Sequence, residues 1–115
     1  MSFDIIILRP TDLSINDLAA VESVEGIGSP ASVSTSVDLV FPRGTQGAFV
    51  AGDCYFVESA LSGDPVTSIQ LTLRYGSDWS ESANGEFLAL LSRLCQRLQS
   101  QAYAVSDNSR IASFL

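Results

Sequence analysis

From residue 69 to residue 75 apolar and polar side chains alternate without a break. Ile69, Leu71, Leu73 and Tyr75 share one parity, and Gln70, Thr72 and Arg74 the other. Successive side chains of an extended chain point to opposite faces, so this segment reads as a strand with one dry and one wet face. Parallel strands are normally covered on both faces, whereas antiparallel sheets can leave one face to water. The alternation therefore points to a mostly antiparallel sheet covered on one side. Residues 62–65 (SGDP) form a strong turn signal just before it, so residues 54–61 are expected to pair with it as a hairpin.

The dry face needs a cover, and the sequence offers one after the hairpin. Within residues 86–100, Phe87, Leu90, Leu91, Leu94 and Leu98 recur at helical spacing, with Arg93, Gln96 and Arg97 opposite and suitably near the helix C-terminus. A first, shorter helix is expected over residues 14–21, with Ser14 as N-cap, Asp17 three residues on, and Leu18 followed by Val21 or Glu22 at helical spacing. The opening run 3–9 (FDIIILR) suits a strand buried on both faces, ended by Pro10. Residues 26–36 (GIGSPASVSTS) read as an irregular connection. Residues 37–41 (VDLVF) read as a short strand closed by Pro42, and residues 43–47 as a turn. Residues 48–61 read as extended chain broken at Gly52 and Asp53, residues 76–85 as a polar loop, and residues 102–105 (AYAV) as a last strand ending in a turn at 106–109. The predicted class is α+β, in the order β-α-β-β-β-α-β, with both helices packed on one face of the sheet.

A chain of 115 residues with 46% hydrophobic residues supports one domain, burying roughly two-thirds of its unfolded surface without disulfides or metals. No internal repeat or long linker divides residues 1–115. Apolar runs such as residues 5–8 fall far short of the ~20 residues of a membrane helix. No secretory signal is seen, so the expected compartment is the cytoplasm. There Cys54 and Cys95, which form no CxxC or metal-like cluster, are expected to be buried, unpaired thiols.

Charge narrows the partners. Thirteen acids face six bases, giving a net charge of −7, and all six bases are arginine. Without lysine there is no polybasic patch for nucleic acid, and an anionic membrane would repel the chain. The partner such a surface attracts at long range is a cation, above all a basic protein. The plainer alternative is that the charge only maintains solubility.

Catalytic chemistry is narrowed further by what is missing. With no histidine there is no Ser-His-Asp triad, Cys-His pair or imidazole metal site, and with no lysine no Schiff base or phosphate-binding lysine. Gly26 and Gly28 lack the third glycine of a dinucleotide-binding turn. Asp53, Asp107 and Asn108 are possible oxygen ligands but sit in ordinary turn contexts outside any calcium-loop pattern. The expectation is a protein with no enzyme activity, cofactor or metal. Two features instead suit binding. Residues 75–81 (YGSDWSE) set the only tryptophan, Trp79, between Asp78 and Glu81 and close to Tyr75, an arrangement suited to anchoring a basic surface. Asp53, Glu58 and Asp64 would add a negative stripe along the hairpin. The alternatives are that Trp79 folds back over the sheet end while Asp78 or Ser80 starts the helix, and that the three acids are merely solvated.

The FDIIILRP opening, the short helix after it, the VDLVFP segment, the hairpin leading to LTLRYG, the leucine-rich helix and the closing strand and turn from Tyr103 to Asp107 together resemble small bacterial immunity proteins. These neutralise the toxins of polymorphic or contact-dependent growth inhibition systems. The resemblance spans most of the chain and rests on pattern and size. It implies a monofunctional inhibitor that binds one cognate toxin domain, as a monomer in a 1:1 complex, and blocks its active site or substrate channel. Many such toxins are basic nucleases, for which an acidic inhibitor is electrostatically apt. An acidic secretion chaperone would also be small and α+β, but such proteins usually dimerise and open with a helix. A small carboxylate-based enzyme would instead show acids converging in a pocket.

Overall fold

The computed structural model describes residues 2–114. Their strands are β1 (Ser2–Pro10), β2 (Val24–Glu25), β3 (Phe49–Ala51), β4 (Tyr55–Ser62), β5 (Ser68–Tyr75), β6 (Gln101–Ala104) and β7 (Arg110–Ser113). The helices are α1 (Pro30–Val40) and α2 (Glu81–Leu98). All pairings are antiparallel, in the spatial order β3-β4-β5-β1-β6-β7, with β2 joined to the end of β1. The expected hairpin is β4–β5, running in register from Tyr55 opposite Tyr75 to Ser62 opposite Ser68.

The side-chain parity of the strands decides the layering. Ile5, Ile7, Val57, Ile69, Leu71 and Leu73 lie in one cluster with Val33, Val37 and Val40 of α1 and Phe87, Leu91 and Leu94 of α2. Both helices thus cover the same face. On the reverse face, Gln70 and Arg74 are exposed as their parity requires. Only the β1–β6 part of that face is covered, by the chain between β1 and β2. There the Gln101 side-chain amide donates to the Leu13 carbonyl at 2.8 Å. The Tyr103 hydroxyl lies 2.8 Å from the Ile15 carbonyl and 2.6 Å from the Gln101 amide oxygen, and its single proton serves one at a time. Leu8 is therefore buried and Ile6 half-buried, which accounts for the unbroken apolar run of β1.

Three local readings are corrected. Residues 14–21 form no α-helix. The Asp12 carboxylate accepts from the Ser14 N–H at 3.0 Å, and Asp17 caps only a single 3₁₀ turn at Leu18–Ala20. Backbone groups a helix would use internally are spent on β6 and the turn after it instead, with Leu18 N–H donating to the Asn108 carbonyl and the Ile15 carbonyl accepting from Tyr103. The helix lies later, across residues expected to be irregular (26–36) and a strand (37–41). Ser29 N-caps α1 by accepting from the Ser32 N–H, Pro30 suits its first turn, and Val33, Val37 and Val40 recur at helical spacing. Valine's preference for strands is outweighed by that packing. The Asp38 side chain, instead of alternating outward from a strand, accepts from the Thr45 N–H at 3.1 Å and from its hydroxyl. Finally, α2 starts at Glu81, because the Ser80 hydroxyl accepts from the Ala83 N–H at 3.2 Å and carries the helix through Gly85. The order of the elements holds broadly, since residues 48–61 split into β3 and β4 around Gly52 and Asp53 and replace the strand expected at 37–41, while β2 and β7 are strands added to the expected set.

Both cysteines are free. Cys95 is fully buried, and burial pushes its thiol up to about 12. Cys54 departs from the expectation of burial: at the mouth of the β3–β4 turn it is only half-buried.

Candidate functional site

The site is built where β4 begins and β5 ends, with Tyr55 opposite Tyr75. Beyond Tyr75 the chain folds back on the β3–β4 turn. Gly76 N–H donates to the Cys54 carbonyl at 2.9 Å, and Asp78 N–H to the Asp53 carbonyl at 2.9 Å. Glycine is required at residue 76 because a Cβ there would overlap the Asp53 carbonyl oxygen. This strap lays the Trp79 ring 4.7 Å from Tyr75, centroid to centroid, and edge-on to Tyr55 at 5.7 Å and 88°. Tyr55 in turn packs edge-on against Phe87 at 5.8 Å, so the loop tryptophan is tied into the core through aromatic contacts.

Trp79 therefore caps the sheet end, and Ser80 starts the helix. The indole is nevertheless only half-buried, and Asp53, Asp78 and Glu81 are exposed around the same loop and turn. Five of the sequence-predicted binding residues, Asp53, Tyr75, Asp78, Trp79 and Glu81, are thus gathered at one end of the molecule. Glu58 and Asp64 are not among them. Glu58 sits on the wet face and pairs with Arg74 at 2.6 Å, with both side chains nearly half exposed. Asp64 lies in the β4–β5 turn, a full strand away, or roughly 23 Å at strand rise. The expected acidic stripe is thereby broken into three separate places.

Sequence reasoning missed Glu86. This exposed residue of α2 contributes, after burial itself and ahead of Cys54, to pushing the Tyr55 phenol up to about 12. No spacing rule links Glu86 to Tyr55; the helix start at Glu81 and the strand register bring them together. The Tyr55 ring is fully buried, and among the described residues no group hydrogen-bonds its hydroxyl.

The same end carries an apolar groove of about 350 Å³ that opens beside Tyr75. Its walls are Phe3 of β1, Leu73 and Tyr75 of β5, Asn84 and Leu88 of α2 and Ile111 of β7, over the buried Phe87. Phe3 shares the parity of Ile5 and Ile7, so its side of the sheet was legible, but β7 was not foreseen and without it the groove has no outer wall.

Chemically this end offers carboxylates and electron-rich ring faces, which attract a cation. Among the described residues the one ion pair is Arg74 with Glu58, so no arginine neutralises Asp53, Asp78, Glu81 or Glu86. Among the described residues no three His, Cys, Asp or Glu side chains are grouped to hold a metal ion. Asp107 is engaged locally: its carboxylate accepts from the Ser109 hydroxyl and N–H, which hold its pKa below the usual carboxylate value. No described helix is long and apolar enough to cross a membrane. Comparison with protein-family models, with curated proteins and with solved structures finds no match to this chain.

Proposed function

We propose that this protein is an immunity protein that binds and neutralises a cognate bacterial toxin domain, a basic nuclease, in the cytoplasm. It acts by occupancy, as a monomer in a 1:1 complex, with no catalytic step, cofactor or metal of its own. One observation carries the reading: Asp53, Asp78 and Glu81 lie exposed on the same loop and turn as the half-exposed Trp79, with no arginine paired to them, in a chain of net charge −7. Unpaired exposed acids raise the encounter rate with a basic surface, and a rigid aromatic at their centre supplies the contact that slows dissociation. The resemblance to immunity proteins supplies the identity of the partner.

The test is to co-express the protein with any basic toxin domain that the neighbouring reading frames encode and to measure binding kinetics on the purified pair. The expected outcome is a 1:1 complex, protection of cells, and an association rate that falls steeply as salt rises, because exposed charges are screened beyond about 8 Å at physiological ionic strength. Asp53→Asn, Asp78→Asn and Glu81→Gln together should slow association about tenfold or more at low salt while leaving dissociation nearly unchanged. A salt-independent association rate, or a triple variant that associates as fast as the parent, overturns the reading. A dimer that binds the partner without blocking its activity identifies a chaperone instead.

A further inference from the structure

We infer that the apolar groove between α2 and the ends of β1, β5 and β7 receives one large apolar side chain of the basic partner, next to the cation held at the Trp79 loop. This rests on the proposed binding role of that loop and specifies the sequence chemistry it selects. Three observations support it. The groove and the loop are continuous, because Tyr75 forms a wall of one and stacks on the tryptophan of the other. Glu81, Asn84 and Leu88 follow at three- and four-residue spacings along one face of α2, so a carboxylate, an amide and an apolar wall stand in line. The walls come from three strands and a helix, so the cavity is formed before the partner arrives and little ordering is needed to fill it.

Size and charge then select the occupant. A volume of about 350 Å³ lies at the small end of the range of ligand sites, and the groove offers one side-chain amide, Asn84, against otherwise mostly apolar walls. An apolar side chain fits it better than a polar one, which would leave hydrogen bonds unmade. No arginine lines the groove, and the exposed Asp78 and Glu81 lie towards its Tyr75 end, so the residues flanking the occupant are basic. A second copy of the chain is disfavoured by the repulsion of two bodies of net charge −7.

The experiment uses the full ¹⁵N-labelled chain at low ionic strength and three blocked peptides. The first holds phenylalanine between two arginines, the second has alanine in place of the phenylalanine, and the third has glutamates in place of the arginines. The first should shift the amide signals of Phe3, Leu88 and Ile111 together with those of Asp78 and Glu81, and should bind about tenfold more tightly than the alanine peptide. The glutamate peptide should bind at least about tenfold more weakly than the first. Leu88→Glu should abolish the advantage of phenylalanine over alanine while keeping the arginine-driven shifts. Asn84→Phe, which fills the groove from an exposed helix position, should do the same should Leu88→Glu fail to fold. Equal affinity for the first two peptides, with shifts confined to the loop, overturns the groove and leaves the acidic loop standing. Equal affinity for the arginine and glutamate peptides, with the loop signals unmoved, overturns both. Absence of any groove shift with the first peptide also overturns the groove.

Discussion

Removing the Tyr55 hydroxyl should stabilise the protein. The ring is fully buried and held edge-on by Trp79 and Phe87, and none of those contacts involves the oxygen. The hydroxyl itself is buried, and no described residue hydrogen-bonds it. A buried hydroxyl without a partner costs about 1–3 kcal/mol relative to one in water. Tyr55→Phe removes that cost and gives up only the oxygen's dispersion contacts, so a net gain of about 1 kcal/mol is expected. For a domain of this size that raises Tm by about 4 °C. Urea titration followed by far-UV circular dichroism gives the midpoint shift, and the m-value should stay constant. The alkaline limb gives a second readout. The Tyr55 phenol is raised above its ordinary 10.0 to about 12, first by burial and then by Glu86, so the folded state holds the proton more tightly than the unfolded one. The stability this contributes is fully present below pH 10 and is lost as pH climbs to about 12, so Tyr55→Phe should flatten that loss. A destabilisation of about 1 kcal/mol or more would refute the reasoning, because it would mean the hydroxyl makes a favourable bond.

Trp79→Ala should lower stability by about 2 kcal/mol, from the lost Tyr55 and Tyr75 pairings and the apolar area they cover, and should weaken partner binding by about 2 kcal/mol as well. Melting and affinity measured on the same variant separate the two, and intact affinity per folded molecule would end the anchor role. Thiol titration should find Cys54 slowly reactive in the native state, Cys95 unreactive, and two free thiols after denaturation without reductant. The Cys95 thiol, raised from 9.0 to about 12 by burial, adds stability that is complete below pH 9 and disappears by about pH 12, so its thiolate absorbance should appear only as the fold is lost.

Legibility followed the length over which a pattern could repeat. The β5 alternation and the α2 stripe each span several residues and were placed on the correct faces, with Ile69, Leu71 and Leu73 buried and Phe87, Leu91 and Leu94 packed on them. The failures concern short elements whose state is set by partners far away in the chain. VDLVF alternates well enough for a strand, yet Val33 extends its apolar spacing backwards at helical period and the core accepts that face. The stretch around Ser14 and Asp17 carries helix-start signals, yet the carbonyls of Leu13 and Ile15 are claimed by Gln101 and Tyr103, nearly ninety positions later. At the candidate site, Tyr75, Asp78, Trp79 and Glu81 were legible together because they are neighbours in the chain. Asp53 joined them through the fold, whereas Glu58 and Asp64, assigned by proximity along the hairpin, were carried elsewhere by strand parity and strand length.

The central place of β1 has a consequence for how this chain comes into being. Its residues pair with β5 on one side, as Asp4 does with Thr72, and with β6 on the other, as Ile5 does with Ala104. β1 must therefore wait for β6, made more than ninety residues later. Pairings so distant in sequence make folding slow compared with that of a helical protein of equal size. Until β6 emerges, the apolar run of β1 keeps one open edge, and a nascent chain in that condition is a target for association with others. A transcript truncated before residue 101 should consequently yield no partly active product. On the proposed immunity role, binding begins only once β6 is made and the sheet has closed, and a toxin already present acts unopposed during that interval.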